Sequence, residues 1–136
     1  MKNESRFAAR VFRGAGIYGI LVLAPQYLLE TGIAPALPVP ITRPEQFYGL
    51  IGVALVWQFA FLLIARDVRR FRPLMLVGVI EKVSFGLPVL LLYARGRVGA
   101  DVLVFGTIDL FLGVLFVLAY RATPAPERLT TPADRQ

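Results

Sequence analysis

From Phe47 to Ala65 the chain carries no charged residue. Gln58 is the one strongly polar side chain in that run, and the only tryptophan, Trp57, stands beside it. A run of this length matches the roughly 20 apolar residues that carry a helix across a bilayer. It is too long for a strand, and an open sheet would leave backbone N–H and C=O groups unpaired in lipid. Helix is therefore the form the run must take. Three more runs repeat the argument, Gly14 to Leu29, Pro73 to Tyr93 and Val102 to Tyr120. The expected fold is all-α, an integral membrane four-helix bundle.

Composition points the same way. Hydrophobic residues make up 57% of the 136 and charged residues 18%, against about 45–50% and about 25% in soluble domains. A small soluble domain buries too little of its surface to hide that much apolar area. The same figures exclude a disordered chain. Cysteine and histidine are absent. That excludes disulfides, thiol nucleophiles and imidazole bases, and removes the commonest zinc, haem and copper ligands. No metal and no cofactor is expected.

One domain is expected over residues 1–121, with spans at about 14–29, 47–65, 73–93 and 102–120. Arg6, Arg10 and Arg13 lie on a short helical stretch before the first span. A signal peptide also starts basic and turns apolar, but Tyr27, Leu28, Leu29 and Glu30 follow this run without a small-x-small cleavage site. The expectation is an uncleaved anchor. Pro25 marks a kink or the end of regular helix, with Tyr27 as an interfacial anchor. The linker Thr31 to Gln46 holds four prolines, at 35, 38, 40 and 44, which oppose a long helix there. Its apolar middle, Ile33 to Ile41, suits the bilayer surface or a fold back between helices. Arg66 to Arg72 reads as a short basic turn, and residues 122–136 as a polar, disordered cytoplasmic tail.

The basic residues sort by loop. Lys2, Arg6, Arg10, Arg13, Arg66, Arg69, Arg70, Arg72, Arg121, Arg128 and Arg135 fall on one side, and Arg43, Arg95 and Arg97 on the other. Basic loops stay cytoplasmic. Both termini are expected inside, N-in/C-in, in a multi-pass protein of the bacterial inner membrane. The net charge of +6 is then a topology code, and no nucleic-acid partner is expected.

Ionisable groups inside a span cost about 2.5–3.5 kcal/mol each on insertion scales, so Glu81, Lys82 and Asp109 need a reason. Counted from the basic ends, Glu81, Asp109 and Gln58 all lie roughly 12–17 Å from the cytoplasmic edge. Tyr18, five residues past Arg13, sits somewhat nearer it. Ser84 shares the Glu81 face, as do Gly78, Phe85 and Pro88. Pro88 cannot donate to the Ser84 carbonyl and so frees an acceptor. Asp109 shares its face with Gly106 and Gly113, which invite close helix approach. Lys82 is turned about 100° from Glu81. The two are therefore not expected to pair within the helix. Lys82 reaches Asp109 across helices or else snorkels to the cytoplasm.

Two readings follow for this polar layer. Glu81, Asp109, Gln58, Ser84, Tyr18 and Lys82 form a site for a small molecule, ion or lipid-like ligand, with binding or assisted transport as the function. Alternatively they are interhelical glue, at about 0.6–2 kcal/mol per bond. An accessory subunit, packing as a homo-oligomer or on another membrane protein, is the competing function. An intramembrane acid–base enzyme acting on a lipid-like substrate ranks last, because no motif specifies its chemistry.

Gly14, Gly16 and Gly19 fit G-x-G-x-x-G, but the dinucleotide reading needs a preceding strand in a βαβ unit. Small residues at a helix contact explain them better, and Gly49 with Gly52 reads likewise. The Arg66 to Arg72 cluster suits anionic lipid, although plain topology determination already accounts for it.

In size, topology and intramembrane carboxylates, residues 10–120 resemble the small four-helix bacterial membrane proteins called DoxX-like. The run from Phe47-Tyr48-Gly49-Leu50 through Arg72-Pro73 to Glu81-Lys82 carries that resemblance, which implies the fold and no activity. Small multidrug transporters fit poorly, because their key glutamate lies in the first helix and none precedes Glu30 here beyond the basic N-terminal stretch. Vitamin K epoxide reductase-like enzymes need cysteines.

Overall fold

A computed structural model describes residues 2–28 and 43–125. Its four helices are α1 (Lys2–Leu28), α2 (Pro44–Arg66), α3 (Arg72–Ala94) and α4 (Ala100–Ala122). All four are long and apolar enough to cross a membrane. A 23-residue helix is about 35 Å long at 1.5 Å per residue, enough for a hydrocarbon core of about 30 Å.

The first helix differs from the expected span. It begins at Lys2 and runs without a break through the arginine-bearing stretch into the apolar one. The reason is its inward stripe: Ala8, Phe12 and Ala15, spaced four and three apart, are buried, while Arg6, Arg10 and Arg13 face out. Pro25 neither ends the helix nor starts a new segment; regular helix continues to Leu28. The second helix starts inside the expected linker. Pro44 occupies its first turn, where proline's fixed φ suits a helix and its missing N–H costs nothing. Residues 29–42, which hold Glu30 and most of that linker, lie outside the described residues.

The Arg66–Arg72 turn is held locally, since Asp67 Oδ1 accepts the Arg70 backbone N–H at 3.1 Å and Val68 is buried. Gly96 closes α3 with φ +67°, the left-handed conformation glycine adopts most readily. Its N–H donates to Tyr93 O and the next N–H, of Arg97, to Leu92 O, the paired bonds of a Schellman cap. At the other end Thr123, expected in the disordered tail, is buried. Arg72 Nε donates to Thr123 O at 2.7 Å, and the same guanidinium lies 3.8 Å from the Tyr120 ring centroid. Residues 126–136 are outside the described residues.

Each helix runs antiparallel to the one before it. α1 packs on α2 and α3 on α4, and an α1–α4 contact joins the pairs; α2 and α3, though consecutive, touch sparsely. Both intimate pairs are glycine seams. A Cβ at Gly16 would come within 2.9 Å of Gln58 O, and one at Gly19 would run into the Gln58 amide. In the other pair a Cβ at Gly86 would come within 2.9 Å of Gly106 O. The dinucleotide-like glycines are thus helix contacts, except Gly14. Gly52 approaches Tyr27, whereas nothing comes near Gly49.

The core lies at the end of the Arg66–Arg72 turn. Ala8, Phe12, Phe61, Ile64, Met75, Phe116 and Ala119 form one buried cluster there. Phe12 stacks on Phe116 with centroids 4.1 Å apart, and Phe61 meets Phe116 edge-on at 4.9 Å. The outward faces are apolar instead. Leu21, Leu50, Val53, Val56, Ile80 and Phe111 are each more than 60% exposed, a surface that suits lipid contact and is foreign to a soluble monomer.

Candidate functional site

The stripes that pack the helices also carry the polar residues. On α3 the buried positions are Met75, Gly78, Lys82, Gly86 and Val89, three and four apart, so Lys82 sits in the middle of the inward stripe. On α4 the buried positions are Gly106, Gly113, Phe116 and Ala119, and Asp109 falls between the first two on the same face. Gly113 leaves room for the lysine stem: a Cβ there would be 3.4 Å from Lys82 Cβ.

Lys82 Nζ lies 3.0 Å from Asp109 Oδ1 and 3.2 Å from Glu81 Oε2. It also donates to Glu81 Oε1 at 3.5 Å. The cross-helix pair is the one expected. The pair with Glu81 is a correction: Cβ directions about 100° apart do not keep the heads apart, because the lysine stem bends back to its neighbour. Lys82 does not snorkel. Its side chain is 6% exposed, enclosed by the inward stripe and 5.3 Å from the Phe61 centroid. Glu81 Oε2 is buried and accepts no hydrogen bond among the described residues; its contact with the ammonium is one of charge.

Gln58, Tyr18, Ser84, Glu81, Lys82 and Asp109 all border one cavity of about 460 Å³. That size is within the roughly 300–1,000 Å³ typical of small-molecule sites. Their roles at its wall differ. Gln58 is buried, donates from Nε2 to Ala54 O at 2.8 Å, and rests on Gly19. Ser84 Oγ donates to Glu81 O at 2.7 Å, which ties the hydroxyl to its own helix. The Tyr18 hydroxyl enters no hydrogen bond among the described residues.

The cavity continues from this layer toward the end opposite the basic turn, past Val22 and Gln26 of α1, Leu50 and Val53 of α2, and Val102 of α4. It occupies the space where α2 and α3 stand apart, with Val53 and Phe85 exposed on either side. Beneath the charges, Phe61, Phe116 and Phe12 close it off. The result is a cleft with apolar walls, a charged floor and a lateral mouth.

Sequence reasoning missed Gln26, Trp57, Phe85 and Phe105 as wall residues. A signal existed for all four: Phe85 lies four residues after Glu81 and Phe105 four before Asp109, so each shares a face with a residue of the charged layer. Gln26 lies four and seven residues after Val22 and Gly19, and Trp57 three after Ala54, so each shares a helix face with residues of the wall.

No family model, curated protein or solved structure matches the chain.

Proposed function

We propose that the chain is a multi-pass protein of the bacterial inner membrane, N-in/C-in, that binds a small amphipathic or lipid-like molecule at Glu81, Lys82 and Asp109 and assists its movement. Its likeness to DoxX-like proteins is one of architecture. The eleven-to-three sorting of basic residues supports the orientation. The observation that carries the binding reading is the cleft itself, with three ionisable groups at its floor, apolar walls and an opening between α2 and α3. Intramembrane charges used only as glue would not need that space. An accessory subunit needs glycine-lined faces left open for a partner, but Gly16, Gly19, Gly78, Gly86, Gly106 and Gly113 all meet neighbours within the bundle. Both carboxylates share one ammonium. That favours a binding floor over an acid and base set apart by their surroundings.

Trp57 is the only tryptophan and lines the cleft, so its fluorescence reports occupancy. Brominated single-chain amphiphiles titrated into protein in zwitterionic nanodiscs should quench it saturably. Glu81→Gln or Asp109→Asn should weaken that component about tenfold for a ligand held by its head, or 1.4 kcal/mol, with helicity unchanged. A quench that rises only linearly, or is identical in both variants for every head group, would defeat the reading.

A further inference from the structure

We infer that the cleft selects a head group bearing one positive charge on an apolar tail, and that Lys82 is a tethered occupant which this cation partly displaces. The inference rests on the binding reading above and specifies its ligand class.

The charge arithmetic comes first. With Glu81, Lys82 and Asp109 ionised, two carboxylates face one ammonium, so the floor holds one negative charge in excess. Buried charge is tolerated when paired, and the ammonium cannot fully serve both partners. It is 3.0 Å from Asp109 Oδ1 and pairs with Glu81 by charge at 3.2 Å from Oε2, but its one hydrogen bond to Glu81 is a long 3.5 Å to Oε1, and buried Oε2 accepts none among the described residues. An additional donor cation meets both deficits. An anionic head would add to the excess, and a neutral head would leave it standing.

The walls agree with the floor. Trp57, Phe85 and Phe105 border the cleft, and Phe61 already holds the Lys82 ammonium over its ring. Aromatic faces attract cations, more strongly when desolvated. The apolar remainder and the mouth between α2 and α3 suit a tail that stays in the membrane. The lysine can yield: its Cβ is fixed against Gly113, while a flexible four-carbon stem carries the ammonium. Release from Glu81 leaves the Asp109 pair intact.

The test is a head-group series on one brominated twelve-carbon tail: primary ammonium, hydroxyl and sulfonate, each titrated against Trp57 in zwitterionic nanodiscs. In the wild type the cation should bind about tenfold tighter than the alcohol, with the sulfonate weakest. Glu81→Gln and Asp109→Asn should each erase that preference. Lys82→Gln, which removes the tethered competitor, should tighten the cation about tenfold and leave the alcohol within about twofold. Saturable binding with equal affinities across heads overturns the cation assignment and leaves the binding reading standing. No saturable binding by any head overturns both. The wild-type series decides without requiring any variant to fold.

Discussion

Lys82 is enclosed on the inward stripe of α3 with a carboxylate on each side. Removing one partner of a buried ion pair is costly because it strands the others. Lys82→Met alone should therefore lower stability by about 3 kcal/mol. The triple change Glu81→Gln, Lys82→Met and Asp109→Asn should recover most of that, as read by reversible unfolding in mild detergent. A triple variant no more stable than the single one would mean that packing around the stem, and not charge, is what Lys82 supplies. The residues of this layer were legible in the sequence, because a charge inside an apolar run stands out and its depth follows from counting. The Glu81–Lys82 pair was not, since helical geometry gives the direction of a Cβ and says little about where a four-carbon stem ends. Gln58 shows the same limit: its polarity is plain in the run, but its seat on Gly19 exists only once α1 and α2 meet.

The helices divide into two tight pairs, α1 with α2 and α3 with α4, each closed on glycine. Gly86 faces Leu110 and Gly106 O, so Gly86→Val would force α3 and α4 apart. A cost of about 1–3 kcal/mol is expected for such overpacking. Gly49 has no neighbour within 4 Å of an added Cβ. There Gly49→Ala should stabilise by about 0.5–1 kcal/mol through helix propensity alone. Paired thermal unfolding curves check both; equal behaviour of the two variants would rule out the seam as the source of the contrast. The existence of the four helices was written in run length. Their ends were less so. The arginines of α1 read as a short helical stretch before the span, because only Ala8, Phe12 and Ala15 mark the inward side. Thr123 read as tail because its partner, Arg72, is far away in sequence and comes near only when α3 and α4 pack.

The bundle is closed at one end and cleft at the other. Run-by-run hydropathy carries no trace of this, since all four spans are similarly apolar; it arises where Phe12, Phe61 and Phe116 converge from three helices. In the proposed orientation the aromatic closure lies toward the cytoplasm and the cleft toward the outer leaflet. A cation that reaches the charged floor from outside has then crossed roughly half of the about 30 Å hydrocarbon layer. The transmembrane potential acts on it with about 2.3 kcal/mol per charge per 100 mV over the full thickness, hence about 1 kcal/mol over half. Loading of this small protein should accordingly be driven by voltage. In proteoliposomes held at 100 mV, negative inside, the apparent Kd read from Trp57 should fall roughly fivefold. Reversing the potential should raise it, and Glu81→Gln should abolish both responses. An unchanged or inverted response would mean that the floor is reached from the other face. Closure by three phenylalanines would thus make the charged floor a sensor of membrane polarisation, with the inner half of the electric field sealed away from its ligand.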